Sequence, residues 1–358
     1  MRGARWAGAA GLIVVLSGCT ASPAAVESEA TTAPTTLADG LDAPWSVVPL
    51  LDNEDAPGAL ISLRGDGTVL ELTPDGALRE VGVVPGVVSG GESGLHGLAV
   101  WEEGDTRWLY AYHGASGDNR VVRMPLTGDP GTLAFDPAAT QVVFSGIPRA
   151  GNHNGGRIGF GPDGMLYVTT GDAGRSETAP DPNALGGKIL RLTPEGEPAP
   201  GNPFDNAVYS LGHRNVQGIA WDDDGTLWAS EFGQNTWDEL NRIEPGGDYG
   251  WPAHEGMADA EGVIDPVTVW APSEASPSGI AAIDGVIYVT GLRGERLWVV
   301  DPDADPSGWA VFTGEFGRLR DVAAGPDGTL WLLTNNTDGR GDPREGDDRL
   351  LQVTLPEG

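Results

Sequence analysis

His153, one of five histidines in the chain, stands in the run Gly151-Asn152-His153-Asn154-Gly155-Gly156-Arg157. A β-forming stretch follows and ends at Gly171-Asp172-Ala173-Gly174. An imidazole held among glycines and amides is free to face a substrate, and a carboxylate at the end of the next strand can orient its ring and stabilise the imidazolium. That pair would make a general base, although a solvated loop histidine could carry the same local sequence. A second run, Leu211-Gly212-His213-Arg214-Asn215-Val216-Gln217-Gly218, crowds a guanidinium fork and two amides into four positions. Such a set suits an anionic, oxygen-rich ligand. A third run extends from Glu231 through Phe232, Gly233, Gln234, Asp238 and Glu239 to Asn241, with Asp248-Tyr249-Gly250-Trp251-Pro252 beyond it. Hard cations such as Ca²⁺ take about six to eight oxygens, many from backbone carbonyls, and acidic glycine-containing loops can fold around them. The spacing is not that of an EF-hand, and composition alone favours a solvated acidic loop. Arg293, and Arg318 with Arg320, add three more cations in two later segments.

These residues need a scaffold that brings distant loops together. The 358 residues include 55 Gly and 28 Pro, which argues against long helices and for short strands joined by turns. Six turn marks, each followed by a β-forming run, recur at Asp66-Gly67, Asp105-Thr106, Asp163-Gly164, Asp224-Gly225, Asp284-Gly285 and Asp327-Gly328. Asp-Gly supplies the positive φ of a tight hairpin, and a spacing of roughly 40 to 60 residues is the period of a four-stranded propeller blade. The expected fold is all-β, a single six-bladed β-propeller over 41–358, with the run 349–353 pairing near 45–51 to close the ring. Lys and Arg number 21 against 52 Asp and Glu, a net charge of −31 that repels phosphate backbones and anionic headgroups. Nucleic acid is thereby a poor partner.

Residues 1–18 have the form of a signal peptide: Arg2 and Arg5 precede an apolar stretch too short to span a bilayer. Leu16-Ser17-Gly18-Cys19 looks like a bacterial lipobox, and Cys19 is the only cysteine, so lipidation at Cys19 and an extracytoplasmic, membrane-anchored location are expected. Residues 19–40, rich in Ala, Ser, Thr, Pro and Glu, read as a flexible tether.

Several strings carry a resemblance in combination: Gly94-Leu95-His96-Gly97-Leu98-Ala99, Asn152-His153 through Arg157, Gly186-Gly187-Lys188-Ile189-Leu190-Arg191, Gly212-His213-Arg214-Asn215, Asp238-Glu239-Leu240-Asn241 and Tyr249-Gly250-Trp251-Pro252. Over nearly all of 41–356 the chain resembles the pyrroloquinoline-quinone (PQQ)-dependent soluble glucose and aldose-sugar dehydrogenases, the glucose/sorbosone dehydrogenase family of six-bladed propellers. The resemblance implies that His153 takes the proton of a sugar anomeric hydroxyl while hydride passes to the quinone, giving a lactone, and that Asp172 steadies the histidine. Asn152, Arg214, Asn215, Gln217, Arg318 and Arg320 match quinone-binding positions, Arg293 stands where a Lys occurs, and Glu92 where a Gln contacts the quinone. Backbone carbonyls of Gly233 and Gln234 match a calcium site whose second residue is usually Pro, while Glu239 and the Tyr249 carbonyl match a second calcium site. His96 in place of a Leu and Phe232 in place of a polar contact are further departures. The implied partners are an aldose and an external electron acceptor, with the membrane reached only through the lipid. The departures at Glu92, His96 and Phe232 leave open a cofactor-free surface propeller that binds sugar or protein, and the likeness of the architecture to lactone-hydrolysing propellers leaves open a calcium-dependent lactonase.

Overall fold

The structure, a computed structural model, describes Met1, residues 33–50 and residues 57–354. Among these, strands fall into six four-stranded antiparallel sheets, each built from strands consecutive along the chain except the last. The innermost strands are Pro44–Leu50, Leu95–Glu103, Ile158–Phe160, Val216–Trp221, Pro277–Ile283 and Leu319–Ala324, which contact one another around a central axis. The protein is a six-bladed β-propeller.

Apolar residues are grouped between blades rather than within them. Leu60, Val69 and Val81 of blade 1 pack on Leu98, Leu109 and Met124 of blade 2, and comparable clusters join each later pair. Ile61 and Leu72 of blade 1 meet Trp331 and Leu333 of blade 6, which completes the circuit. Strands buried on both faces explain why the β runs read as nearly continuous apolar stretches instead of alternating ones.

Five of the six turn marks connect the first and second strands of blades 2 to 6. The first mark is out of phase: Asp66-Gly67 joins the second strand, Gly58–Leu63, to the third, Thr68–Leu72. In blade 1 the segment between the first and second strands, 51–57, lies mostly outside the described residues.

Ring closure differs from expectation. Leu350–Val353 pairs with Thr35–Ala38, in the register Thr35↔Gln352, not with the strand near 45–51. Thr35–Ala38 is the outer strand of blade 6, so the propeller begins inside the stretch 19–40 expected to be a tether. A short strand of Thr, Leu and Ala beside a Pro-rich segment carries little periodicity, and its pairing partner lies at the far end of the chain. The expected signal peptide and Cys19 lie outside the described residues. Among the described residues, no helix is long and apolar enough to cross a membrane.

Candidate active site

The candidate residues cluster where first strands begin and second strands end, opposite the Asp-Gly turns. His153 precedes Ile158–Phe160, Arg214 precedes Val216–Trp221, Glu231 ends Leu227–Glu231, and Asp172 follows Leu166–Thr169. Loops from different blades thus face one another across one end of the channel.

The histidine and carboxylate expected to cooperate do meet. His153 Nδ1 lies 2.7 Å from Asp172 Oδ1, and Asp172 is buried. Its carboxylate also accepts the Gly174 N–H at 2.8 Å and the Trp251 indole N–H at 2.9 Å. Burial raises the Asp172 pKa, but these hydrogen bonds outweigh it and hold the carboxyl below its ordinary value. An ionised Asp172 can only accept, so Nδ1 carries the proton, and Nε2 is the nitrogen whose lone pair the neutral ring offers.

Beside this pair is a cavity of about 320 Å³ lined by Arg64, Arg293, Arg318, Arg320 and Arg340, together with Glu92, His96, Gln217 and Phe232. Two carboxylates offset the five guanidinium groups. Asp338, whose side chain is buried, lies within 3.4 Å of Arg318 and 3.9 to 4.0 Å of Arg320 and Arg64, while Glu92 lies 3.1 Å from Arg340. The wall therefore carries an excess of three positive charges.

Buried donors on the same side are unsatisfied. Asn215 accepts the Gly155 N–H through Oδ1 at 3.0 Å, but its Nδ2 has no partner, nor do the Nε atoms of Arg214 and Arg320. Gln217 accepts from Arg320 at 2.8 Å, which fixes that guanidinium against the inner wall. Arg293 is exposed at the rim. Asn152 is exposed and does not line the cavity; Asn154, two residues on, is buried and does. His96 stacks between Trp45 and Tyr112, with centroids at 5.0 and 5.7 Å. Burial pushes its pKa down to about 3, so it is a neutral aromatic element of the wall.

The residues matched to cations form two separate groups. At the first, Arg214 Nη1 donates to the carbonyls of Phe232 at 3.2 Å and Gly233 at 2.6 Å. The loop continues around Glu255, whose Oε1 accepts the backbone N–H groups of Gln234, Asn235, Thr236 and Trp237. In the second group Glu239 pairs in register with Glu231 and accepts from Gly256 at 2.7 Å and from Asn241 at 3.1 Å. Burial, with Glu231 nearby, pushes the Glu239 carboxyl up to about 8. The Tyr249 ring stacks on His213, whose Nδ1 is 2.8 Å from Glu231. The chain's only lysine, Lys188, is a strut: its buried ammonium donates to the carbonyls of Thr178, Ala179 and Gly186 at 2.7 to 2.8 Å.

Sequence reasoning missed Arg64, Arg340 and Asp338. The two arginines stand alone in polar loops, and Asp338 acquires its role only from the arginines folded around it.

A propeller with an arginine-lined cavity whose wall includes Asn154 and Gly155, next to His153 of the histidine–carboxylate pair, defines a class of loop-built catalytic or binding sites for anions. Residues 41–347 match the model of the glucose / sorbosone dehydrogenase family, and the chain belongs to that family. It is 30% identical to the aldose sugar dehydrogenase YliI of Escherichia coli K12, over 92% of this chain and 95% of that one. A solved structure of the PQQ-bound form of an aldose sugar dehydrogenase from Streptomyces coelicolor is similar with a TM-score of 0.84 and 48% identity, covering 90% of this chain and 97% of that one. A putative oxidoreductase (glucose dehydrogenase) of Thermus thermophilus gives a TM-score of 0.80 at 41% identity, covering 91% and 100%.

Proposed function

We propose that the chain is a PQQ-dependent aldose sugar dehydrogenase, which oxidises the anomeric C1 hydroxyl of an aldose to a lactone and passes electrons to an external acceptor. The observation that carries this reading is the cavity next to the His153 loop: its excess of three positive charges complements a tricarboxylate, and Arg320 Nε in its wall and Asn215 Nδ2 behind Gly155 are buried donors without acceptors. The residues present fit the quinone. Arg64, Arg293, Arg318, Arg320 and Arg340 would hold its carboxylates, with Asn215 and Gln217 beside them. When bound, the quinone supplies the acceptor for the hydride equivalent. His153 Nε2 receives the proton of the anomeric hydroxyl, and Asp172 stabilises the resulting imidazolium through Nδ1.

Calcium enters the proposal at the carbonyls of Gly233 and Gln234. A cation there competes with Arg214, which donates to Gly233. The proposed second site uses Glu239 and the Tyr249 carbonyl.

Titration of the protein with PQQ, followed by absorbance, tests the reading. Saturable uptake is expected, tighter with Ca²⁺ than with a chelator, together with aldose-dependent reduction of an artificial dye. No saturable uptake in either condition would favour a binding module. Lactone hydrolysis without quinone, abolished by chelation, would favour a lactonase.

Extracytoplasmic attachment through Cys19 belongs to the same proposal. Cys19→Ser is expected to move the protein from the detergent phase to the aqueous phase after expression in a lipoprotein-processing host; unchanged partition would exclude the anchor.

A further inference from the structure

By residue type Glu92 opposes an anionic cofactor, and the structure gives it another occupation. Its Oε2 accepts the backbone N–H of His153 at 2.8 Å, and its Oε1 lies 3.1 Å from Arg340. The backbone around it is tied to the same loop: the Glu92 N–H donates to the Gly151 carbonyl at 2.9 Å. Gly91 approaches Gly151 so closely that a Cβ there would sit 2.3 Å from its carbonyl oxygen. The Glu92 carbonyl lies 2.8 Å from His96 Nε2.

His153 needs such support. Its φ is 52°, a left-handed conformation that a non-glycine residue keeps only when its surroundings fix it. Three contacts do so: Asp172 on the ring, the Ala173 N–H donating to the His153 carbonyl at 3.1 Å, and Glu92 on the N–H.

We infer that Glu92 is a positioning residue for His153, and that Arg340 makes a carboxylate tolerable at this place by pairing with its other oxygen. One carboxylate thus joins the rim of blade 6 to the histidine loop before blade 3. The inference rests on the proposed roles of His153 and of the cationic cavity. A glutamine at 92 would keep an oxygen acceptor for the His153 N–H while removing the charge, and would free Arg340 to face an anion. An alanine would remove both.

The test uses the full chain with backbone ¹⁵N in its histidines, of which there are five, and compares wild type, Glu92→Gln and Glu92→Ala. Hydrogen exchange of the His153 amide is expected to accelerate at least about tenfold in Glu92→Ala and much less in Glu92→Gln. With quinone and aldose, turnover at saturation is expected to fall about tenfold or more in Glu92→Ala, with glutamine restoring most of it. Both variants are expected to bind PQQ more tightly than wild type, because each removes a negative charge from the wall. Equal exchange in wild type and Glu92→Ala would overturn the positioning role. Weaker PQQ binding in Glu92→Ala would make Glu92 a direct ligand and overturn the pairing argument. Because exchange is measured without quinone, a protein that takes up no quinone would refute the functional reading while still deciding whether Glu92 holds His153.

Discussion

His153→Ala is expected to lower aldose-dependent dye reduction by about 10² to 10⁴ while leaving PQQ uptake saturable. The reason lies in the division of labour at the cavity: the guanidinium groups that would bind the quinone belong to other loops, whereas the proton acceptor is a single ring nitrogen. Asp172→Asn tests the same assignment differently. An ionised Asp172 forces the proton onto Nδ1, but an asparagine amide can donate to that nitrogen and stabilise the tautomer whose Nε2 already carries a proton. Turnover in Asp172→Asn should therefore fall steeply even though the ring stays in place. Stopped-flow measurement of quinone reduction at saturating aldose would show both losses in the chemical step. Turnover in His153→Ala equal to wild type would sink the assignment of the base.

Asp321→Ala is expected to cost about 3 to 5 kcal/mol of stability, the penalty for leaving a buried charge unpaired. Arg157 Nη1 lies 2.7 Å from Asp321 Oδ2, and the same oxygen accepts the Val47 N–H at 2.9 Å. Arg157 also donates to the Gln217 carbonyl at 3.0 Å, and its guanidinium lies 4.3 Å from the Trp45 ring centroid. Loss of Asp321 therefore strands a cation where blades 1, 3, 4 and 6 converge. Chemical denaturation should report a lower midpoint with little change in slope. The double variant Arg157→Met with Asp321→Leu should recover much of the loss, since replacing a buried pair by apolar side chains of similar volume is often neutral. A single variant as stable as wild type would refute the argument.

The turns and the reacting pair were legible because each is local. An Asp-Gly turn declares its own positive φ, and His153 and Asp172 sit on the loops that enter and leave two adjoining strands of one blade, so the spacing that makes the hairpin also brings them together. The charge environment was less legible. Arg318 and Arg320 were found through their string, but Arg64 and Arg340 come from blades 1 and 6 and meet only because the ring closes. Glu92 illustrates the same limit: only the fold reveals that Arg340 and the His153 N–H take its two oxygens. Asn152 and Asn154 flank the histidine alike, and the sequence does not say which amide the loop turns inward.

The composite last blade bears on how the chain acquires its structure. Every apolar cluster spans two neighbouring blades, so an isolated blade has no interior of its own to stabilise it. Thr35–Ala38 must wait for Leu350–Val353, its partner at the other end of the chain. Closing that loop is entropically costly before the intervening blades are in place. On this ground the pairing of the two ends is expected to come late in folding, after the intervening blades. Arg340 stands in the loop that leads from Leu330–Thr334 into Leu350–Val353, so the strand that seats the N-terminal partner also anchors one guanidinium of the cationic cavity.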